Sequence, residues 1–275
     1  MGRGMLRGRR APVPAWAAVA LGLVPAAVLL AAWWLLTRGE PEYRAISPVI
    51  LPTPADVFGF VPRLLHTPGD AESAFWRQVL LSFRRVALGF GVAVAVALPL
   101  GTLVASFRGW RLTFGPTVAA SGYVPIAALV PLSMSWWGTG EMQKVLFLAL
   151  AFLVYLLPLV IRALDAVPDV YVSTAHTLGA SRAQVILRVL LPVAAPDIWH
   201  ALRLAFGVGW SYLVLVEMTV LAGGLGAMIF TGQRRSELRP QIYVVLAVIT
   251  LIAWAVDLGW ARLGRVLFPY REERA

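Results

Sequence analysis

Long apolar stretches recur along the chain, and each is long enough to cross a lipid bilayer as a helix. A span needs about 20 mainly apolar residues to traverse roughly 30 Å of hydrocarbon. Lipid offers the backbone no hydrogen bonds, so each span must pair its own polar groups. We therefore expect an all-α, polytopic membrane protein with about six transmembrane helices. They form a single domain over residues 14–275, with spans at about 14–36, 86–105, 116–136, 144–161, 198–222 and 242–258.

The composition agrees with a membrane location and argues against other classes. The chain is 59% hydrophobic and 14% charged, whereas a soluble domain carries about 25% charged residues. The net charge of +10 comes from arginines beside the spans, not from a basic face interleaved with aromatics, so no nucleic-acid partner is expected. The absence of cysteine and of an H-E-x-x-H pattern predicts neither a metal site nor a cysteine nucleophile.

The first apolar stretch predicts an uncleaved span preceded by a cytoplasmic tail, residues 1–13. The stretch is at least as long as a span needs and lacks a convincing small-x-small cleavage site. Arginines in the tail place the N-terminus in the cytoplasm by the positive-inside rule, and six spans return the C-terminus to the same side. Residues 37–82 are then an extracytoplasmic connection with a short interfacial helix near Ala55–Leu65. This connection is either a linker or a docking site for a partner.

Small residues and prolines distinguish two of the spans. The third span contains Pro125 and Pro131, which bend a helix or free backbone carbonyls that only neighbours or a water-filled cavity can satisfy. It is therefore the leading candidate to line a substrate path. The second span carries small residues at every fourth position, which predicts close packing against another helix. These residues are Gly89, Ala93, Ala97, Gly101 and Ala105.

Glu217 is an acid inside the fifth predicted span. A carboxylate facing lipid costs about 2.5–3.5 kcal/mol on insertion scales, so such a residue is paired or functional. Two interpretations remain open. A structural bond to a neighbouring helix is favoured over a place on the substrate path, because a path for anions would repel the carboxylate.

The segment Tyr171–Pro196 is too polar to cross a bilayer, although it lies between two apolar stretches. It predicts two short helices at a membrane surface. Gly179 is a plausible stop for the first, and Ser181-x-x-Gln184 has the form of a capping box that begins the second. We expect that second helix to end at Pro192.

The spacing in this segment carries a resemblance to a known family. Ala175, Gly179, nine further residues and then Val189-Leu190-Leu191-Pro192 resemble the cytoplasmic loop of importer-type ABC-transporter permeases, whose usual form is Glu-Ala-Ala, three residues, Gly, nine residues, Ile-x-Leu-Pro. Ser173 and Thr174 depart from that form. The segments Leu51–Pro54 and Thr177–Ser181 are similar, more narrowly, to permeases for nitrate, taurine and aliphatic sulfonates.

The resemblance implies a prokaryotic inner-membrane permease that imports a small solute, with a nitrate-, sulfonate- or taurine-like anion as the leading hypothesis. It implies cytoplasmic ABC ATPase subunits that bind ATP and Mg²⁺, an extracytoplasmic solute-binding protein, and a second permease copy. No cofactor is expected on this chain, and whether the pair consists of identical copies stays open. In the family the loop, here residues 162–197, contacts the ATPase. The matching positions are Ala175, Leu178, Gly179, Ala180, Ser181, Leu191 and Pro192.

Two other classes are weaker. A gradient-driven secondary transporter would show internal repeats or acid and base pairs near the membrane midplane, and the sequence shows one buried acid and no clear repeat. A membrane-embedded enzyme would need a catalytic constellation. Neither a Gly-x-Ser-x-Gly motif nor paired carboxylates occur, so no catalytic residue is predicted.

Overall fold

The computed structural model describes residues 14–40, 42, 44, 46–65, 71–219 and 223–270. Over those residues the chain is helical and contains no strand, which confirms the all-α prediction. The predicted tail 1–13 and the end of the fifth predicted span, 220–222, lie outside the described residues. The helices are α1 Ala15–Thr37, α2 Pro54–Leu65, α3 Ala71–Ser106, α4 Arg108–Ser121, α5 Leu129–Trp137, α6 Glu141–Asp165, α7 Asp169–Thr177, α8 Arg182–Val185, α9 Leu191–Thr219, α10 Leu225–Arg234 and α11 Arg239–Leu267.

Five described helices are long and apolar enough to cross a membrane: α1, α3, α6, α9 together with α8, and α11. The pair α4 and α5 makes a sixth span if its two bent halves are counted together. This agrees with the prediction of about six spans. Helix α2 lies where a short helix was predicted near Ala55–Leu65, whereas α10 lies between the fifth and sixth predicted spans, where no helix was predicted.

Helices α3 and α6 form the centre of the bundle, and small residues set their distance. A Cβ atom on Gly89 would lie 2.7 Å from Cβ of Leu148, and one on Gly101 would lie 2.7 Å from Cγ1 of Val160. Only glycine fits at both positions, because such distances are shorter than van der Waals contact. The predicted close packing of the small-residue row is therefore confirmed.

The span formed by α4 and α5 is bent by 85°. Residues 122–125 separate α4 from a short 3₁₀ turn, Ile126–Ala128, which leads into α5. Pro125 has no N–H group and disfavours helical backbone in the preceding residue, so the helix breaks there. Pro131 lies in the first turn of α5, where a proline is tolerated. Of the two prolines, only Pro125 lies at the bend.

Residues 182–219 form one continuous helical rod, which we call the rod. Helix α8 passes through a π-helical turn, Ile186–Leu190, directly into α9. The N–H of Leu191 donates to the carbonyl of Ile186, five residues earlier. The prediction that the helix ends at Pro192 is wrong, because this wide turn leaves room for the proline ring in the first turn of α9.

Contacts between helix ends define two ends of the bundle. One end carries the connection between α6 and the rod, and we call it the loop end. There Arg111 of α4 pairs with Asp165 of α6, and the Trp199 indole N–H donates to the carbonyl of Trp260 (3.1 Å). At the opposite end, which we call the far end, the Trp33 indole N–H of α1 donates to a carbonyl preceding α2 (2.9 Å).

Candidate functional site

The connection between α6 and the rod folds as a helical hairpin, which we call the hairpin (residues 169–190). Its first helix, α7, is closed by a Schellman motif. The N–H of Gly179 donates to the carbonyl of His176 (2.9 Å), and the N–H of Ala180 donates to the carbonyl of Ala175 (3.0 Å). Gly179 has a φ of +81°, which favours glycine. The predicted stop at Gly179 is confirmed.

The second helix of the hairpin begins with the predicted capping box. The backbone N–H of Ser181 donates to the side-chain carbonyl of Gln184 (2.8 Å), and the N–H of Gln184 donates to the Ser181 hydroxyl (3.4 Å). These bonds satisfy donors that a helix start otherwise leaves unpaired. The Schellman motif and the capping box together fix a turn of a few residues between the two helices.

The tip of the hairpin presents an apolar side chain to the surroundings. Leu178 is 81% exposed, and Gly179 and Ser181 are exposed beside it. Ala180 is half-buried, and Ala175 is 9% exposed and packs inside the hairpin. Of these five predicted contact positions, the structure therefore brings three together on one exposed surface.

The base of the hairpin holds the other two predicted positions. Leu191 is half-buried and Pro192 is exposed, directly after the π-helical turn. A cavity of about 500 Å³ separates the hairpin from the turn between α3 and α4, and Arg108, Asp165 and Arg182 are among its lining residues. On its other side, the base of the hairpin packs against the hydrophobic core through Leu190.

A second polar site is an ion cluster near the far end, buried except at Glu141, whose side chain is 55% exposed. Arg85 of α3 donates from Nη1 to Oε1 of Glu217 in α9 (2.6 Å) and from Nε to Oε2 of Glu141 in α6 (2.8 Å). The Arg85 side chain is 1% exposed and Glu217 is 0% exposed. Lys144, also fully buried, lies with its Nζ 3.5 Å from Glu141. Two cations and two carboxylates thus balance in charge.

Backbone groups of the turn before α10 complete this cluster. The N–H of Gly226 donates to Glu217 (2.9 Å), and Arg85 Nη1 donates to the carbonyl of Gly223 (2.8 Å). The Ser82 hydroxyl donates to the Glu217 carboxylate and accepts from the N–H of Leu225, each at 2.8 Å. The cluster therefore ties α3, α6 and α9 to the start of α10.

Sequence reasoning found Glu217 but missed its partner. Arg85 lies one residue before the second predicted span and therefore outside every predicted span. The signal that could have found it is position along the membrane normal. The second predicted span begins, and the fifth ends, on the same side of the membrane, so Arg85 and Glu217 lie at a similar depth. Because an acid inside a span requires a partner, the arginine at matching depth was the natural one.

Pro125 and Pro131 lie on a different surface from Glu217. Both prolines are exposed, as are residues 122–124 at the break between α4 and α5. Glu217 is enclosed by its ion pair and by backbone donors. The three residues predicted for a substrate path therefore do not form one site.

The fold and the hairpin define a class of protein, a multi-pass membrane transport subunit with a helical hairpin at one end of its spans. The chain belongs to the family of binding-protein-dependent transport system inner membrane components, which matches residues 97–265. It is a permease subunit of an ABC importer in the inner membrane, and a transport subunit rather than an enzyme.

Several relatives match most of the chain. The taurine transport system permease protein TauC of Escherichia coli is 33% identical over 93% of this chain and 91% of its own length. The riboflavin transport system permease protein RibX of Chloroflexus aurantiacus is 30% identical over 90% of this chain and 89% of its own. The nitrate import permease protein NrtB of Synechocystis is 26% identical over 91% of this chain and 90% of its own length.

A solved structure has the same fold. A chain of the MetNI methionine ABC transporter in an inward-facing conformation superposes with a TM-score of 0.63 at 18% identity. The match covers 71% of this chain and 96% of that chain. The predicted resemblance to importer-type ABC permeases is therefore confirmed at the level of family and fold.

Proposed function

We propose that this chain forms, with a second copy of itself, the translocation path of an importer for a small oxyanion such as a sulfonate or nitrate. The hairpin docks on a separate cytoplasmic ABC ATPase and transmits its closing motion to the spans. The observation that carries the proposal is the exposed tip at Leu178 on a rigid turn, joined without a break to a membrane-spanning rod.

The geometry of the hairpin suits it to transmit force. An exposed leucine at the tip provides an apolar anchor for a partner pocket, of the kind that dominates binding energy at interfaces. The Schellman motif and the capping box keep that anchor fixed relative to the rod. A movement of the tip is therefore passed to α9 and not absorbed by a flexible loop.

The same proposal sets the partners and the orientation. The hairpin and both chain ends lie in the cytoplasm, and an extracytoplasmic solute-binding protein delivers cargo at the far end. ATP and Mg²⁺ bind the ATPase. In support, the chain's lysine, Lys144, is buried against Glu141 and belongs to no Gly-Lys-Ser/Thr phosphate loop.

The oxyanion cargo is supported by the relatives named for taurine and for nitrate. The buried carboxylate does not oppose it, because Glu217 is enclosed by Arg85, Ser82 and the backbone. We assign Glu217 and its partners a structural role. Another relative is named for riboflavin, a larger molecule. An uptake assay must therefore distinguish a small oxyanion from a larger cargo.

The test is co-purification. The tagged chain is co-expressed with its genomic neighbours, purified in mild detergent, and assayed for bound ATPase. We expect wild type to retain an ATPase and Leu178→Asp and Gly179→Leu to lose it, because the first removes the apolar anchor and the second strains the left-handed turn. Uptake of taurine, nitrate and riboflavin is measured in the same strains.

Val266→Asp is the matched control, since Val266 is an exposed apolar residue in the last turn of α11, outside the hairpin. It should keep both the ATPase and uptake. An ATPase that remains bound to Leu178→Asp and Gly179→Leu, or is absent from folded wild type, would contradict the docking proposal.

A further inference from the structure

The central helix of the bundle, α6, has one exposed side chain in its middle part. Helix α6 packs against α3, α5 and α9. Between residues 143 and 161 its side chains are buried or half-buried, except that of Tyr155, which is 40% exposed. Tyr155 is thus the point at which this part of the central helix reaches the surface of the bundle.

Tyr155 meets a second tyrosine at this point. Its hydroxyl oxygen lies 2.9 Å from that of Tyr212 on α9, and both residues lie well inside candidate membrane spans. One hydroxyl hydrogen forms the bond between them, so the pair keeps a second hydrogen to donate. The hydrocarbon of a bilayer contains no acceptor for that hydrogen.

Further polar or non-helical groups are exposed on α9 and on the helices that pack against α6. On α9, Gly207 and Ser211 are exposed within the span. The break at residues 122–125, between two helices that also pack on α6, exposes non-helical backbone. Such backbone at membrane depth is tolerated only against protein or water. The tyrosine pair, the exposed Ser211 hydroxyl and the backbone at this break are therefore groups that need an aqueous or proteinaceous environment at membrane depth.

Ion pairs already occupy two of the cations inside the spans. Two arginines of the spans, Arg85 and Arg203, are each held by a carboxylate, Glu217 and Asp257 respectively. A free arginine would hold an oxyanion strongly, whereas a site on a conduction path must bind its ion and release it. Neutral hydroxyl donors satisfy both requirements.

We propose that the Tyr155–Tyr212 hydroxyl pair, with the Ser211 hydroxyl, is a transient binding site for the oxygen atoms of an anionic cargo on the translocation path. The inference rests on the proposed function and deepens it. It assigns selectivity for acceptor-rich anions, sulfonate or nitrate in kind, to hydrogen-bond donors of the permease itself.

The absence of cysteine from the chain allows a test that does not depend on knowing the cargo. Single variants Tyr155→Cys and Ser211→Cys, in the permease–ATPase complex, are reacted with a methanethiosulfonate reagent carrying a sulfonate group and with a neutral methyl methanethiosulfonate. We expect both sites to react with the sulfonate reagent at least about tenfold faster than Leu29→Cys, which is 71% exposed in the apolar helix α1. Thiolates react only where water reaches them.

The hydroxyls are tested in the Ser211→Cys background. Adding Tyr155→Phe and Tyr212→Phe should slow the sulfonate reagent about tenfold, the effect of losing a hydrogen bond to a charged group. The neutral reagent should react as before. Tyr243→Phe is the control, because its hydroxyl lies near the far end, 3.3 Å from the Ile50 carbonyl.

Two results would overturn the inference. One is equal reactivity of Ser211→Cys, Tyr155→Cys and Leu29→Cys towards the sulfonate reagent. The other is a ratio of sulfonate to neutral rates that the two phenylalanine substitutions leave unchanged. Failure of the proposed function is read separately, from the ATPase bound to the hairpin, so the two outcomes are distinguishable.

Discussion

Arg85 and Glu217 form an ion pair that is almost completely withdrawn from solvent, at 1% and 0% exposure. Removing one partner of such a pair leaves an uncompensated buried charge and costs about 3–5 kcal/mol. We expect Arg85→Met to lower the free energy of unfolding by that amount. Arg85→Met combined with Glu217→Gln should cost less than the sum of the two single changes. Thermal unfolding in detergent, followed by tryptophan fluorescence, measures all three variants.

Arg111 provides the comparison, because its ion pair with Asp165 is 46% and 39% exposed. Exposed pairs contribute about 0–1 kcal/mol, so Arg111→Met should change the free energy of unfolding little. Equal losses of stability in Arg85→Met and Arg111→Met would show that burial does not set the strength of these pairs in this protein.

At the scale of helices, the packing of α3 on α6 requires glycine on the face of α3 that contacts α6, and not on its exposed face. A Cβ atom on Gly89 would lie 2.7 Å from Leu148, whereas one on Gly91 would meet no atom within 4 Å. Overpacking a filled interior costs about 1–3 kcal/mol. We expect Gly89→Val to lower the melting temperature and the yield of folded protein, and Gly91→Val to behave as wild type.

Gly89 and Gly91 lie two residues apart on one helix, so helix propensity and membrane insertion change equally in the two variants. The difference between them isolates the contact with α6. A melting temperature that falls equally in both would attribute the loss to the valine itself and contradict the packing argument.

At the scale of the whole molecule, the proposed topology places the hairpin and α2 on opposite sides of the membrane. Because the chain has no cysteine, Leu178→Cys and Phe58→Cys introduce single labelling sites at exposed positions. The permease is expressed without its ATPase, which would cover Leu178, and we expect a membrane-impermeant maleimide to label Phe58→Cys in spheroplasts and Leu178→Cys only in inverted vesicles. The reverse pattern would invert the orientation and remove the hairpin from the side on which an ATPase can act.

Much of the fold followed from local sequence. Apolar stretches located the spans, and Pro125 and Pro131 marked the span that bends, because a proline lacks an N–H group wherever it lies. The structure then placed the bend at Pro125. The Schellman motif at Gly179 and the capping box at Ser181 were also readable, since each depends on bonds within a few residues. Features of this kind need no knowledge of the rest of the chain.

The tertiary structure alone decided which distant groups meet. The sequence marked Glu217 as an acid needing a partner, but that partner, Arg85, lies on another helix and beyond the apolar run. The family resemblance likewise placed Ala175 and Leu178 together among the contact positions, but only the fold placed Ala175 inside the hairpin and left Leu178 exposed. No local pattern distinguishes Tyr155 in the sequence, whereas the bundle buries its neighbours on α6 and leaves Tyr155 facing outward. Local patterns fix which segments are helical, whereas burial and pairing depend on how those helices pack.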